Sequence, residues 1–361
     1  MTYKVENVSD FWVTDERHMV TLHGKLTSRD INLWSSGQEA VSLLSNALIS
    51  TCRLDSNALW AYSKGKTFEW DIKSVGTNPV ALQYDNISPV KNTSNGILAN
   101  KTVEGSVSLG VIEDASKGLF KWLKDYSSTM LLSSHKFICL VYFNEALEKK
   151  EIKCLELASG TEVWRYVLTN SYDWVDEFGE KHPGEVYKLI AIHNEVLWSV
   201  LTNGLILGID MQSGEVVHQV FNANSYVNYE REMDSGATVN ILNRYSYFDS
   251  EAESIFGAQG KYYWELHLKP PYNQFTSWAI HGLNDNIELN NIAGWNSDQI
   301  FFYEGGESNK YGILDRNEKK VIAIYDMQEV AGKFPAIRKM VYAARRLYIL
   351  DCNHTLHIKE V

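Results

Sequence analysis

The residues best suited to chemistry in this sequence are carboxylates mixed with aromatic rings, gathered in two stretches. Tyr172, Asp173, Trp174, Asp176, Glu177 and Glu180 form one; Tyr226, Tyr229, Glu230, Glu232 and Asp234 form the other. Rings set among negative charge have the composition of a protein–protein contact, because the ring supplies apolar area and the carboxylates attract a basic partner. A third acidic stretch runs from Asp249 to Glu253. The competing expectation is that all three are solvated connectors whose rings fold back onto the scaffold.

Other chemistries find less support. Most of the ten histidines stand alone in strand-like runs, among them His193, His218, His267 and His281. His354 and His357 are three apart, but around a β-turn that spacing does not build the paired-ligand face of a metal-binding helix. Cys52, Cys139, Cys154 and Cys352 are scattered without a CxxC, and three of them sit in apolar runs. Such cysteines read as buried free thiols. No GxSxG, P-loop or GxGxxG is present, and each of those motifs is needed to build its own nucleophile or phosphate site. A carboxylate pair for glycoside cleavage depends on separation in space, which chain spacing does not give. No catalytic, cofactor-binding or metal-binding residue is therefore assigned.

The elements that must position these residues come from an internal repeat. Leu155-Glu-Leu-Ala-Ser-Gly160-Thr-Glu-Val-Trp164 aligns without gaps on Ile209-Asp-Met-Gln-Ser-Gly214-Glu-Val-Val-His218. Each reads as strand, tight turn, strand: an acid ends the first strand, Ser-Gly supplies the turn with its positive φ, and an apolar run returns antiparallel. Looser copies lie at Trp70–Gly76, Val111–Trp122 and Ile313–Ile322, and Lys261–Leu268 with Gln274–Trp278 keeps the strands with a changed turn.

Runs at 188–193, 196–201, 205–209 and 216–221 make four strands in one unit, and 129–169 and 287–327 parse the same way. Residues 47–85, 88–126 and 245–281 follow less closely, and 10–45 least. Short strands with hairpin turns, repeating every 40–50 residues or so, predict an all-β fold: a single propeller of four-stranded blades over residues 1–361. The last unit, 337–359, has only three strands, and Tyr3–Val8 has the character to supply the fourth. The count is eight blades, with seven left open by the weak first and third units.

Composition agrees with a β-rich soluble scaffold. The 361 residues include 11 Trp and 20 Tyr but only 6 Pro, a bias toward broad side chains packed between sheets. A formal charge of −11 disfavours nucleic acid, whose phosphates need a basic footprint. Met1–Phe11 carries Lys4, Glu6 and Asp10 in place of a secretory apolar run, so a cytoplasmic location and no membrane association are expected.

The pattern of apolar strand, acid, Ser/Thr-Gly turn and returning strand with Trp164 resembles the PQQ-like repeat. That repeat occurs in quinoprotein alcohol dehydrogenases and in the non-enzymatic outer-membrane assembly propeller. The resemblance implies a propeller. It would imply quinone chemistry only with an adjacent-cysteine pair, a calcium site, a catalytic Asp and export, and none of these can be matched here; nor is there a lipobox cysteine near the start. Asp210 and Asp315 fall at turn-capping positions, so no catalytic residue is carried over, and no cofactor is expected.

These readings lead to a non-catalytic, cytoplasmic protein-binding propeller. Its partner is expected to be basic, such as a toxin or effector domain, which would make the chain an immunity protein. The alternative is an enzyme or carbohydrate-binding propeller with its site at the central channel mouth, where carboxylates or histidines should then converge.

Overall fold

The structure is a computed structural model that describes the chain outside residues 1, 15–17, 26, 36–38, 56–57, 65, 73–81, 105, 115–118, 127, 145–146, 176–178, 221–227, 230–238, 241–245, 260–261, 271–274, 283–288, 290, 306–307 and 328–335. The Gly76 and Gly118 turns of the looser repeats lie among the residues left out.

Apolar runs of five or six residues explain the strands. Val196–Leu201 is buried at every position, whereas Val216–Val220 alternates between covered and exposed. A strand covered on both faces reads as a continuous apolar run, and one at a sheet's outer edge alternates. The described residues form eight four-stranded antiparallel sheets in a ring, a β-propeller. Blades 1 to 7 are simple meanders over residues 8–47, 49–85, 87–124, 128–167, 186–220, 246–279 and 291–326. Blade 8 takes Ile337–Ala343, Arg346–Asp351 and Leu356–Glu360 from one end of the chain and Thr2–Val5 from the other, with Tyr3 opposite Ile358. The expected closing strand is thus present but ends at Val5, because Val8 already begins blade 1.

First strands of neighbouring blades touch one another, as Ser128–Ser133 does Val186–His193 and Asn291–Trp295 does Ile337–Ala343. They line the axis. Connections between blades and the turns joining second to third strands fall at one end of the ring, here the connector end. Hydrogen bonds there include Thr202 N to Glu185 O at 2.8 Å and Val8 N to His354 O at 2.8 Å. The third-to-fourth turns occupy the opposite end.

The core is a series of layers between blades. Cys139, Val141, Ile152 and Cys154 of blade 4 pack on Leu197, Leu207, Ile209 and Met211 of blade 5, and comparable layers lie between blades 1 and 2, 3 and 4, 5 and 6, 6 and 7, 7 and 8, and 8 and 1. At the turn end two of these layers are pinned by an indole. Trp122, on the outer strand of blade 3, donates its indole N–H to Leu157 O at 2.9 Å and lies over Gly160 of blade 4. Trp164 repeats this one blade on, donating to Met211 O at 2.8 Å and covering Gly214. A Cβ on Gly160 or Gly214 would stand 2.5 or 2.7 Å from the ring, and both glycines have φ near +70°, at +69° and +75°.

Between blades 6 and 7 a buried cation takes over. Arg316 donates to Asp249, to Glu265 at 2.7 Å and to the Tyr263 hydroxyl at 3.1 Å, with its guanidinium 4.8 Å from the centre of the Phe256 ring. Lys319 on the same turn sits 4.4 Å over Trp278, the outer-strand indole of blade 6. Asp210 and Asp315 cap their turns, accepting backbone N–H bonds from Gln212 and Ser213 and from Asn317 and Glu318.

Blade 1, the least regular by sequence, is a full four-stranded sheet. Its second strand carries Thr21 and His23, which break the apolar run; Thr21 accepts a hydrogen bond from the Trp34 indole at 2.7 Å and bonds His23 at 2.8 Å. The polar groups are satisfied within the sheet.

Two outcomes follow from these joints. Gly160→Ala and Gly160→Asn should both destabilise by at least about 1–3 kcal/mol in urea unfolding; a tolerated Asn, which accepts positive φ, would show that backbone conformation and not the Trp122 contact is what requires glycine. Arg316→Met should cost about 3–5 kcal/mol at neutral pH by leaving two buried carboxylates without their cation. Burial pushes the Asp249 carboxyl up, but Arg316 and the N–H groups of Ala252 and Glu251 outweigh it and hold it below its ordinary 3.8. Ionised Asp249 therefore stabilises the fold above that pH, and the contribution is lost as pH falls through the lower folded value. Acid melts of the Arg316→Met variant should show a smaller loss below about pH 4 than the parent.

Candidate functional site

Two places stand out from the scaffold: the axis and the connector end between blades 4 and 5. At the axis, a cavity of about 460 Å³ opens on the first strands of blades 2, 3, 4 and 5. Arg53, Lys91 and Lys188 line it together with Asn100, Tyr126 and apolar residues such as Leu131. Each cation is fixed by its place in an inner strand: Arg53 in Ile49–Asp55, Lys91 in Ile87–Thr93 and Lys188 in Val186–His193. Lys188 Nζ donates to Ser246 O at 2.7 Å and lies 5.1 Å from the centre of the Tyr247 ring, and burial lowers its pKa. Burial also raises that of Tyr126, keeping its phenol protonated. A fourth inner-strand cation, Lys339, is neutralised by Asp10 at 2.7 Å and bonds Phe11 O. Among the described residues lining the cavity there is no carboxylate and no histidine.

A smaller cavity of about 290 Å³ shares Arg53 and lies against Trp60, Tyr62 and Thr67. Trp60 is 3% exposed and its indole N–H has no acceptor among the described residues.

At the connector end, residues 168–185 leave blade 4, make a single 3-10 turn at Asn170–Tyr172, then pair Trp174–Val175 with Lys181–His182. Tyr172 anchors this insertion: its ring packs on the layer between blades 4 and 5, its hydroxyl lies 2.9 Å from that of Tyr166, and its carbonyl accepts from Asn203 at 3.1 Å. Asp173 accepts from Gly184 N at 3.3 Å and pairs with Lys181 at 3.7 Å. Trp174 is half-buried, 4.8 Å from the His182 ring, and Glu180 is exposed. The structure thus brings Tyr172, Asp173, Trp174 and Glu180 together. Tyr229 lies in a two-residue strand paired with Val239–Asn240, and Asp176, Glu177, Tyr226, Glu230, Glu232 and Asp234 fall outside the described residues.

Other titratable groups serve the fold. Asp249, read from sequence as part of an acidic connector, is buried against Arg316 and caps its turn. His354 and His357 do not converge: His354 Nδ1 faces Val8 O, while His357 is buried and bonds Asp351 at 2.9 Å. All four cysteines are free. Cys139 and Cys154 are buried and directly cross-strand, and burial holds the Cys139 thiol well above its ordinary pKa and pushes Cys52 up to about 12. Cys352 departs from the expected burial; it is exposed in the turn after Asp351, whose carboxylate takes the N–H groups of Asn353 and Thr355. Among the described residues no three His, Cys, Asp or Glu side chains gather as metal ligands, and no helix is long and apolar enough to cross a membrane.

The axial cations escaped sequence reading. Their one signal is a basic residue within the first strand of a unit, alone among Lys and Arg at Arg53, Lys91 and Lys188 and beside Arg338 at Lys339.

No known family model matches the chain, and no curated protein matches it in sequence. Solved structures do resemble it. BamB from Moraxella catarrhalis matches at a TM-score of 0.57 and 10% identity over 100% of this chain and 98% of its own. Saccharomyces cerevisiae Sqt1 matches at 0.60 and 12%, covering 100% and 98%. The C-terminal WD40 domain of Sif2 matches at 0.58 and 11%, covering 99% and 97%. These are β-propellers, and at such identities the likeness is one of fold.

Proposed function

We propose that residues 1–361 act as a single, non-catalytic cytoplasmic propeller that binds a protein through its connector end at blades 4 and 5. The observation that carries this reading is a group of exposed apolar side chains held there on a braced frame. Phe143, Leu147, Val175 and Tyr187 are 51%, 50%, 58% and 37% exposed. They belong to the second-to-third hairpin of blade 4, the insertion and the strand that follows it. These pieces are tied by Lys149 to Asn170 at 2.6 Å and Lys150 to Glu185 at 2.5 Å. Exposed apolar groups clustered on a rigid scaffold mark interaction surfaces. Glu148 and Glu180 are exposed on the same hairpin and insertion, and the chain's charge of −11 favours a basic partner.

In its most specific form the partner is a basic toxin or effector domain and the chain its immunity protein. We also place the repeat with the PQQ-like propellers, on the Ser-Gly turns that receive Trp122 and Trp164. The absence of carboxylates or histidines from the described cavity lining gives the rival enzyme reading no support of its own.

Capture from the native host, with the intact chain as bait, should recover a basic protein. Leu147→Ser combined with Val175→Ser should weaken that complex about tenfold or more with an unchanged melting temperature. Undiminished binding would remove this surface from the function. Asp173 is a poor test position, since its bonds to Gly184 and Lys181 hold the insertion in shape.

A further inference from the structure

We infer that the axial cavity is a binding site for a small multivalent oxyanion, a ligand carrying two or more phosphate or carboxylate groups. The site is separate from the connector-end surface, so either can fail without the other.

The argument starts from an imbalance. The chain as a whole is acidic, at −11, yet Arg53 of blade 2, Lys91 of blade 3 and Lys188 of blade 5 line one cavity. Among the described residues neither Arg53 nor Lys91 has a carboxylate partner. The nearby acid on the strand of Arg53, Asp55, accepts a hydrogen bond from Asn92 N at 2.6 Å, and Asp10 is taken by Lys339. Like charges gathered without a counter-ion repel, more strongly where protein replaces water. A bound anion would supply the counter-charge that Arg53 and Lys91 lack among the described residues.

Size and chemistry match such a ligand. A cavity of about 460 Å³ falls in the range that takes small molecules. Arg53 offers the forked donor that grips an oxyanion through two parallel bonds, while the lysines act as point charges. Asn100 and the protonated Tyr126 add neutral donors, and Leu131 with its apolar neighbours forms a wall that raises the value of each charge. Arg53 also borders the smaller cavity in which the Trp60 indole N–H lacks an acceptor.

The cations come from three separate blades, so a ligand held by all of them bridges the inner strands and stabilises the ring. Binding should consequently be visible as a rise in melting temperature.

The test titrates the intact protein with pyrophosphate and, separately, with citrate, using calorimetry and thermal melts. One-to-one saturable binding of at least one, with a raised melting temperature and an affinity that falls with added salt, is expected. A preference for pyrophosphate identifies phosphate groups as the chemistry; a preference for citrate identifies carboxylates. Arg53→Gln, at an exposed position, and Lys91→Gln, at a half-buried one, should each weaken binding about tenfold. The same substitutions should leave the ligand-free melting temperature unchanged, because neither side chain has a carboxylate partner among the described residues; a merely structural role would lower it. Lys320→Gln, on the outer strand of blade 7, should bind as the parent does. Failure of both anions to bind at millimolar concentration, or binding indifferent to Arg53→Gln and Lys91→Gln, would overturn the inference.

Discussion

The joint between the outer strand of one blade and the third turn of the next sets the terms for the rest of this molecule. A lone four-stranded sheet has two apolar faces and covers neither, so each blade is stable only against its neighbours. Trp122 and Trp164 make that contact specific. Each indole buries its ring on the following blade and satisfies its own N–H on a carbonyl of the same turn, Leu157 or Met211. The ring must approach backbone, so the turn has no room for a side chain and its glycine serves two demands, close contact and left-handed φ. At blades 6 and 7 the same position is met by charge, where Arg316 draws Asp249 and Glu265 of the preceding blade onto its turn. Such a joint needs complete pairing, since a buried ion without its partner is costly.

Because the apolar layers run between blades, the inner strands are held on both sides while their axial edges stay open. That arrangement lets basic side chains stand in the channel without weakening a core. It also frees the two ends of the ring for insertions, and residues 168–185 use the connector end with Tyr172 as their anchor.

What could be read from the sequence follows from which interactions are local. Ser159–Gly160 and Ser213–Gly214 announce hairpins by their own chemistry, and the fully buried middle strands announce themselves by unbroken apolar runs. Blade 1 was obscured because Thr21, His23 and Trp34 satisfy one another inside the sheet, a pattern visible only after the strands are paired. The insertion was found as an acidic and aromatic stretch, but its division of labour was not: Tyr172 and Asp173 hold the fold, while Val175 is presented outward. The axial cations were missed for a related reason. Arg53, Lys91 and Lys188 are far apart along the chain, and one isolated base in a strand carries no sign that the curvature of a ring will bring it to two others.

The eighth blade sets a schedule for the molecule. Thr2–Val5 precedes all seven other blades along the chain, yet its partner Leu356–Glu360 follows them. Those blades can dock in order as they appear, each against the one before. The first must meanwhile expose the apolar face later covered by Tyr348 and Leu350, and the early strand must wait unpaired. Waiting edges and bare faces are where chains associate wrongly. Assembly is therefore most vulnerable just before the ring shuts, and the two ends of the chain, brought side by side at that moment, act as its latch.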